Sequence, residues 1–268
     1  MEIQFAKINP TQNMTIIVLN PVERAQQPSV AEKLMDYGSV FAEQVGFLEK
    51  PSDPVAKARL QMMGGEFCGN ATMSLAAYLA HTGGMKDGEN SVYPLEISGA
   101  GEILHCNIRK NGASYSASVA MPLPERIESV SLPDGSVYPA VFFPGIAHLI
   151  VPMDQMDASA AENVIAGWCE ALDTDALGII LTNEDCSLIR PIVYVRATLS
   201  SVWERGCGSG TAAIGAYLAA KEQKNITVSV SQPGGTITVE AQWRETALSG
   251  LKIRSDVRIS AIGTAWIE

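Results

Sequence analysis

The segment C-G-N-A-T-M-S-L-A-A-Y-L-A, running from Cys68 to Ala80, returns as C-G-S-G-T-A-A-I-G-A-Y-L-A from Cys207 to Ala219. Seven of the thirteen positions are identical: the Cys, the Gly after it, the Thr at the fifth place and the closing Ala-Tyr-Leu-Ala. A Glu stands just upstream of each copy, Glu66 and Glu204. Repeats of short fixed period build solenoids. A single return after about half of a 268-residue chain points instead to a duplicated domain.

Both copies read as helices, over residues 70–81 and 210–221. They are rich in Ala, Leu, Met and Tyr, contain no Pro and are apolar nearly all round, the pattern of a helix buried inside a domain. Asn70 and Ser209, each beside a Gly, suit the helix start. Around them the two halves match loosely. Pro10 precedes Ile16-Ile17-Val18, and Pro144 precedes Leu149-Ile150-Val151. After each cysteine segment, β-like runs flank a glycine turn. Leu95-Glu96-Ile97 and Ile103-Leu104 lie around Gly99-Ala100-Gly101. Val228-Ser229-Val230 and Thr236-Ile237-Thr238-Val239 lie around Pro233-Gly234-Gly235. Such alternation marks half-buried strands. The expected fold is α+β: two pseudosymmetric domains, each of strands wrapped around one central helix. Residues 1–120 would form the first and 125–261 the second, with a tail at 262–268 returning to the first. Met121-Pro122-Leu123-Pro124 is the expected linker.

Charge and composition narrow the function classes. The formal net charge is −10 and the sequence pI about 4.9. That field repels nucleic acid and anionic lipid. No apolar run approaches the roughly 20 residues that span a bilayer, and the opening Met-Glu-Ile-Gln-Phe-Ala-Lys lacks the order of a signal peptide. These readings predict a cytoplasmic protein that acts on a small molecule. Five cysteines, an odd number irregularly spaced, fit reduced thiols better than a disulfide framework.

A cysteine at a helix N-terminus has its thiolate favoured by unpaired backbone N–H groups and the helix dipole. The same groups hold carboxylates. If the halves face each other, Cys68 and Cys207 would flank one bound carboxylate and its α-carbon. One thiolate would remove the α-proton while the opposite thiol protonates the other face, with the helix ends steadying the developing charge. A cysteine taken at random is more often packing than catalysis. The repeat shifts that balance by putting both at Gly-bracketed helix starts, whereas Cys106, Cys169 and Cys186 lack such a context and read as structural.

At these motifs the chain resembles the diaminopimelate epimerase superfamily, which includes the proline racemases. The resemblance extends over essentially the whole chain. It implies two domains, each a β-barrel-like sheet around a central helix, and a cysteine pair working without pyridoxal phosphate. Asn13, in Gln12-Asn13-Met14-Thr15-Ile16-Ile17-Val18, is similar to the family's substrate-contacting Asn. Phe67-Cys68-Gly69-Asn70 resembles the first catalytic segment and Cys207-Gly208-Ser209-Gly210 the second, so Gly69, Asn70, Gly208 and Ser209 are implied to bind substrate. Glu204-Arg205 resembles the family's Glu-Arg pair, with Glu204 supporting Cys207 and Arg205 at the substrate. His148, in Gly145-Ile146-Ala147-His148, matches the family's Gly-Asn-Pro-His at the Gly and the His and is implied to support Cys68.

Departures set the branch. Gly206 alone separates Glu204-Arg205 from Cys207, a spacing closer to the proline racemases. Ile146 replaces the Asn that holds the distal end of diaminopimelate, which speaks against that substrate. The histidine racemase branch, including the enzyme of staphylopine-type metallophore pathways, is closer still. The shared segments are Asn9-Pro10 with Asn13-Met14-Thr15, Glu43-Gln44-Val45-Gly46-Phe47, Glu66 through Ser74, Cys207 through Ala212, and Gln232-Pro233-Gly234-Gly235. This implies interconversion of L- and D-histidine, with Glu43 contacting the imidazole. Diaminopimelate epimerisation or racemisation of another amino acid is the alternative within the class, and relatives of this kind admit a homodimer.

Other classes compete. The two sulfurs could form a redox switch, or the fold could serve as a binding protein without chemistry. No metal site is expected, for there is no C-x-x-C and no histidine pair at helical spacing. No cofactor is expected either. Gly208-Ser209-Gly210 fails the dinucleotide fingerprint, no G-K-[ST] phosphate loop occurs, and no lysine sits in a pyridoxal phosphate motif.

Overall fold

The computed structural model describes residues 1–268. They form two compact units, Met1–Ala120 with Arg254–Glu268, and Met121–Ile253. In the first unit the order is β1 (Glu2–Pro10), β2 (Thr15–Val18), α1 (Gln27–Met35), β3 (Gln44–Glu49), β4 (Ala58–Met62), α2 (Gly69–Thr82), β5 (Asn90–Ile97), β6 (Leu104–Asn111) and β7 (Ser114–Ala120). The second unit holds β8 (Arg126–Ser131), β9 (Val137–Phe143), β10 (Ile146–Pro152), α3 (Ala158–Ala171), β11 (Ala176–Thr182), β12 (Ile189–Val195), β13 (Ser200–Trp203), α4 (Gly208–Glu222), β14 (Ile226–Gln232) and β15 (Gly235–Arg244). The last strand, β16 (Ala247–Trp266), starts there and returns to the first unit.

The first unit is a closed ring. Strands β1 to β7 lie in sequence order, and β16 neighbours both β7 and β1. Its end pairs antiparallel with β1, from Pro10 opposite Val257 to Glu2 opposite Trp266. Inside the ring lies α2, touching β1, β2, β5, β6 and β7. Its alanines explain the fit: Ala71, Ala76, Ala77 and Ala80 are fully buried beside Met73 and Leu75. A helix enclosed on all sides needs apolar residues all round, and small ones let the strands come close. Outside the ring, α1 sets Val30, Ala31 and Leu34 against Ile3, Phe5, Ile16, Val18, Val45 and Phe47. All four residues of β2 are therefore buried, since it has α1 on one face and α2 on the other.

The second unit encloses its helix differently. Six strands run in the order β13-β12-β11-β10-β9-β8, all antiparallel except for the β10–β11 pair. One face packs Ala147, Leu149, Val151, Leu177, Ile179 and Leu181 on Ala161, Ile165, Trp168 and Cys169 of α3. On the other face, α4 touches β8, β9 and β10, and also the β14–β15 hairpin. Both faces are covered, so β11 is buried along its whole length.

The two repeated segments are helices, as their composition predicts, over Gly69–Thr82 and Gly208–Glu222. Their starts differ from expectation. Neither Asn70 nor Ser209 caps the helix; Cys68 and Cys207 themselves do. The expected strand at Ile103-Leu104 begins at Leu104.

Candidate active site

Each cysteine sits at the end of an extended residue that turns into a helix, with φ −137° at Cys68 and −95° at Cys207. The Cys68 sulfur accepts the backbone N–H of Ala71 at 3.4 Å, and the Cys207 sulfur that of Gly210 at 3.2 Å. These N–H groups have no partner within their own helix, and an N-cap side chain commonly takes one. Here sulfur takes it, which favours a negative charge on the sulfur. The repeated Thr has a matching explanation. The hydroxyls of Thr72 and Thr211 donate to the carbonyls of Cys68 and Cys207, at 2.8 and 2.7 Å, so each cysteine is pinned through its backbone and its sulfur together.

In the first unit a hydrogen-bond chain reaches Cys68. It starts where β1 turns into β2. Thr11 and Gln12 both adopt left-handed conformations, φ 53° and 59°, and the Asn13 N–H returns to the Pro10 carbonyl at 3.0 Å. Two successive non-glycine residues there cost about 1–3 kcal/mol each. The turn sets buried Asn13 beside the start of β3. Asn13 Nδ2 donates to the Glu43 carboxylate at 2.8 Å. Gln44 Nε2 donates to Asn13 Oδ1 through a short contact and to Thr15 Oγ1 at 2.8 Å. The Cys68 thiol donates to Gln44 Oε1 at 3.0 Å. Gly99 makes room for the segment just before Cys68. Its φ is +71°, and a Cβ there would lie 2.3 Å from the Phe67 backbone nitrogen.

In the second unit Gln232 is the organiser. Its Oε1 accepts the Cys207 backbone N–H at 2.7 Å, and its Nε2 donates to Thr211 Oγ1 at 2.7 Å. The turn after it holds the Glu204-Arg205 stretch: the Gly234 N–H reaches the Arg205 carbonyl at 2.6 Å, and the guanidinium donates to the Pro233 carbonyl at 3.4 Å. Glu204 joins β12 through its N–H on the Pro191 carbonyl, 2.9 Å. The Ser209 hydroxyl lies 3.6 Å from the Cys207 sulfur.

His148 has a different environment. On β10 it alternates with Ala147 and Leu149, so it points away from α3 to the face that carries α4. Its ring is fully buried, and neither nitrogen has a hydrogen-bond partner. It lies over Gly178, where a Cβ would come within 2.1 Å of Nδ1, and edge-on to Phe143 with ring centroids 6.3 Å apart. Burial drives its pKa down to about 3, so the imidazole is neutral.

The first unit thus gathers Asn13, Glu43 and Cys68, with Gly69 and buried Asn70 in the first turn of α2. The second gathers Glu204, Arg205, Cys207, Gly208 and Ser209. Sequence reading missed Gln44 and Gln232 as hydrogen-bond partners of the two cysteines. Both lie inside segments singled out for other reasons, and a side-chain amide beside a motif was the available signal.

The profile of the family described as histidine racemase CntK N-terminal domain matches residues 2–266. A histidine racemase of Fusobacterium nucleatum is 34% identical over 273 residues, covering 99% of this chain and 97% of that protein. One of Staphylococcus aureus is 31% identical over 278 residues, covering 99% and 98%. Among solved structures, a hydroxyproline epimerase from Agrobacterium vitis with bound trans-4-hydroxy-L-proline superimposes with a TM-score of 0.71 at 12% identity, covering 100% of this chain and 93% of that one. That likeness shows the fold, which is of the proline racemase and diaminopimelate epimerase type.

Proposed function

The chain belongs to the histidine racemase family and is an amino-acid racemase, and from this we propose that it interconverts L- and D-histidine through Cys68 and Cys207, without pyridoxal phosphate. One thiolate takes the α-proton, breaking the Cα–H bond as an S–H bond forms. The other thiol gives its proton to the opposite face of the α-carbon. Backbone N–H groups at the starts of α2 and α4 hold the substrate carboxylate and its developing charge. Glu43 receives the imidazole, with Asn13, Gly69, Asn70, Arg205, Gly208 and Ser209 around the amino-acid end. Glu204 and the neutral His148 support the cysteines.

The observation that carries this reading is the pair of sulfurs capping two buried helices, each accepting a backbone N–H. Inversion at carbon needs a base and an acid on opposite faces, and a duplicated capped cysteine offers one of each. The test is proton NMR of the reduced protein in heavy water with L-histidine and no added cofactor, followed by chiral chromatography. Loss of the α-proton signal with appearance of D-histidine is expected. Exchange of another amino acid but not histidine would overturn the substrate and keep the chemistry. Full racemisation by Cys68→Ser or Cys207→Ser would overturn the two-cysteine scheme; each single variant is expected to lose it.

A further inference from the structure

The chain of hydrogen bonds from Glu43 to Cys68 has only one direction. A carboxylate accepts and does not donate. Glu43 therefore takes the amide N–H of Asn13, which turns Asn13 Oδ1 toward Gln44. That oxygen needs a donor, so Gln44 presents Nε2 to it, and Thr15 Oγ1 receives the same amide group. Gln44 Oε1 is left facing the Cys68 sulfur at 3.0 Å. A carbonyl oxygen offers lone pairs only, so the sulfur must supply the hydrogen. The sulfur can still accept from Ala71 N–H, because a thiol donates and accepts at once.

We propose that Gln44 is a positioning residue that holds Cys68 in its thiol form in the resting enzyme, making Cys68 the acid and Cys207 the base of the first turnover. The inference rests on the two-cysteine reading above, which needs one thiol and one thiolate at any instant. The Cys207 thiolate takes the α-proton and becomes a thiol. The Cys68 S–H bond breaks as its proton passes to the other face of the carbon. Cys68 is then a thiolate facing the Gln44 oxygen, an arrangement that favours regaining a proton from solvent as the Cys207 thiol releases one to it.

The test reads Cys68 directly and does not need catalysis. Cys207→Ser removes the second reactive sulfur, and Cys106, Cys169 and Cys186 are buried, so iodoacetamide reports on Cys68. The rate of alkylation against pH gives a midpoint, because only the thiolate reacts. In the Cys207→Ser background, Gln44→Leu removes the acceptor and is expected to lower that midpoint by about one pH unit, roughly tenfold faster alkylation below it, as losing one modest hydrogen bond requires. Gln44→Glu restores an acceptor with a charge and is expected to raise the midpoint above the Gln44 protein. A Gln44→Leu midpoint equal to or above the parent, or a Gln44→Glu midpoint below it, overturns the proposal. Circular dichroism checks folding, and if Gln44→Leu does not fold, Gln44→Glu alone decides. Failure of the wild type to racemise histidine sinks the substrate reading and leaves this test standing.

Discussion

His148 should make the fold lose stability as the pH falls below about 6.5, an onset above the usual carboxylate range. Burial takes its pKa from 6.5 to about 3, below the unfolded value. Between those limits the unfolded chain binds the proton and the folded chain does not, so stability rises with pH through the window. The contribution is complete above about pH 6.5 and is lost as the pH falls toward 3. Protonating the ring inside the fold costs on the order of 5 kcal/mol more than in the open chain, at 1.36 kcal/mol per pH unit. Between pH 7 and pH 5 the linkage removes about 2 kcal/mol. The perturbation is His148→Leu, which fills much of the ring's space and cannot titrate. The assay is urea unfolding of both proteins at pH 7, 6 and 5. The wild-type stability minus that of the variant should fall by about 2 kcal/mol over that range, while carboxylates held low, such as Glu49 and Glu96, cancel in the difference. A difference constant within about 0.5 kcal/mol would refute the reasoning, for it would mean that the folded ring takes up a proton as readily as the unfolded one.

Other substitutions probe the same supports. Gly178→Ala sets a methyl 2.1 Å from the His148 ring and should cost about 1–3 kcal/mol as overpacking. In a His148→Ala background the methyl enters space the ring has left, so chemical denaturation should show that cost vanishing; an undiminished cost would place the clash elsewhere. His148→Ala by itself is expected to lower turnover in a protein that still folds, and wild-type turnover would remove His148 from the site. Gly99→Ala combines a left-handed backbone with a Cβ against Phe67; a loss of about 2 kcal/mol or more and weakened activity are expected, and unchanged unfolding and rate would refute it. Glu43→Gln keeps an acceptor for Asn13 but removes the charge, so it should raise KM for histidine more than it lowers kcat; an unchanged KM would exclude Glu43 from the imidazole.

The buried helices were legible because both are written twice, and a run such as Ala76-Ala77-Tyr78-Leu79-Ala80 has few other stable forms. Some of the strands around them followed from alternation, as at residues 228–230 and 236–239, whereas β2 and β11 are buried at every residue and show none. What stayed hidden depends on distant partners. Nothing near Glu2 or Trp266 announces that they pair, so the closed ring could be expected only by resemblance. The cap residue was misread because Asn and Ser are the usual helix starters, and here a sulfur occupies the place they normally take. Gln44 lies 24 residues from the sulfur it contacts. Its amide could face either way until the tertiary fold brings Glu43 and Asn13 into line. His148 matched a motif, yet the pattern could not reveal that its nitrogens lie without partners in the interior.

Duplication alone gives two similar halves, and a two-base racemase cannot be symmetric at the instant of reaction. One sulfur must hold a proton that the other lacks. In both units the cysteine caps a helix and a Thr fixes its carbonyl, so the repeated residues treat the sulfurs alike. Differences come from glutamines outside the repeat and from Ser209, whose hydroxyl lies 3.6 Å from the Cys207 sulfur where the first copy has Asn70. In the first unit Gln44 turns its oxygen on the Cys68 thiol. In the second, Gln232 spends its oxygen on the Cys207 backbone N–H and its amide on Thr211, leaving its influence on the segment's position and not on the sulfur's proton. On the proposed scheme the repeat supplies the matched geometry that inversion requires, and the unrepeated amides supply the inequality that lets the first proton move.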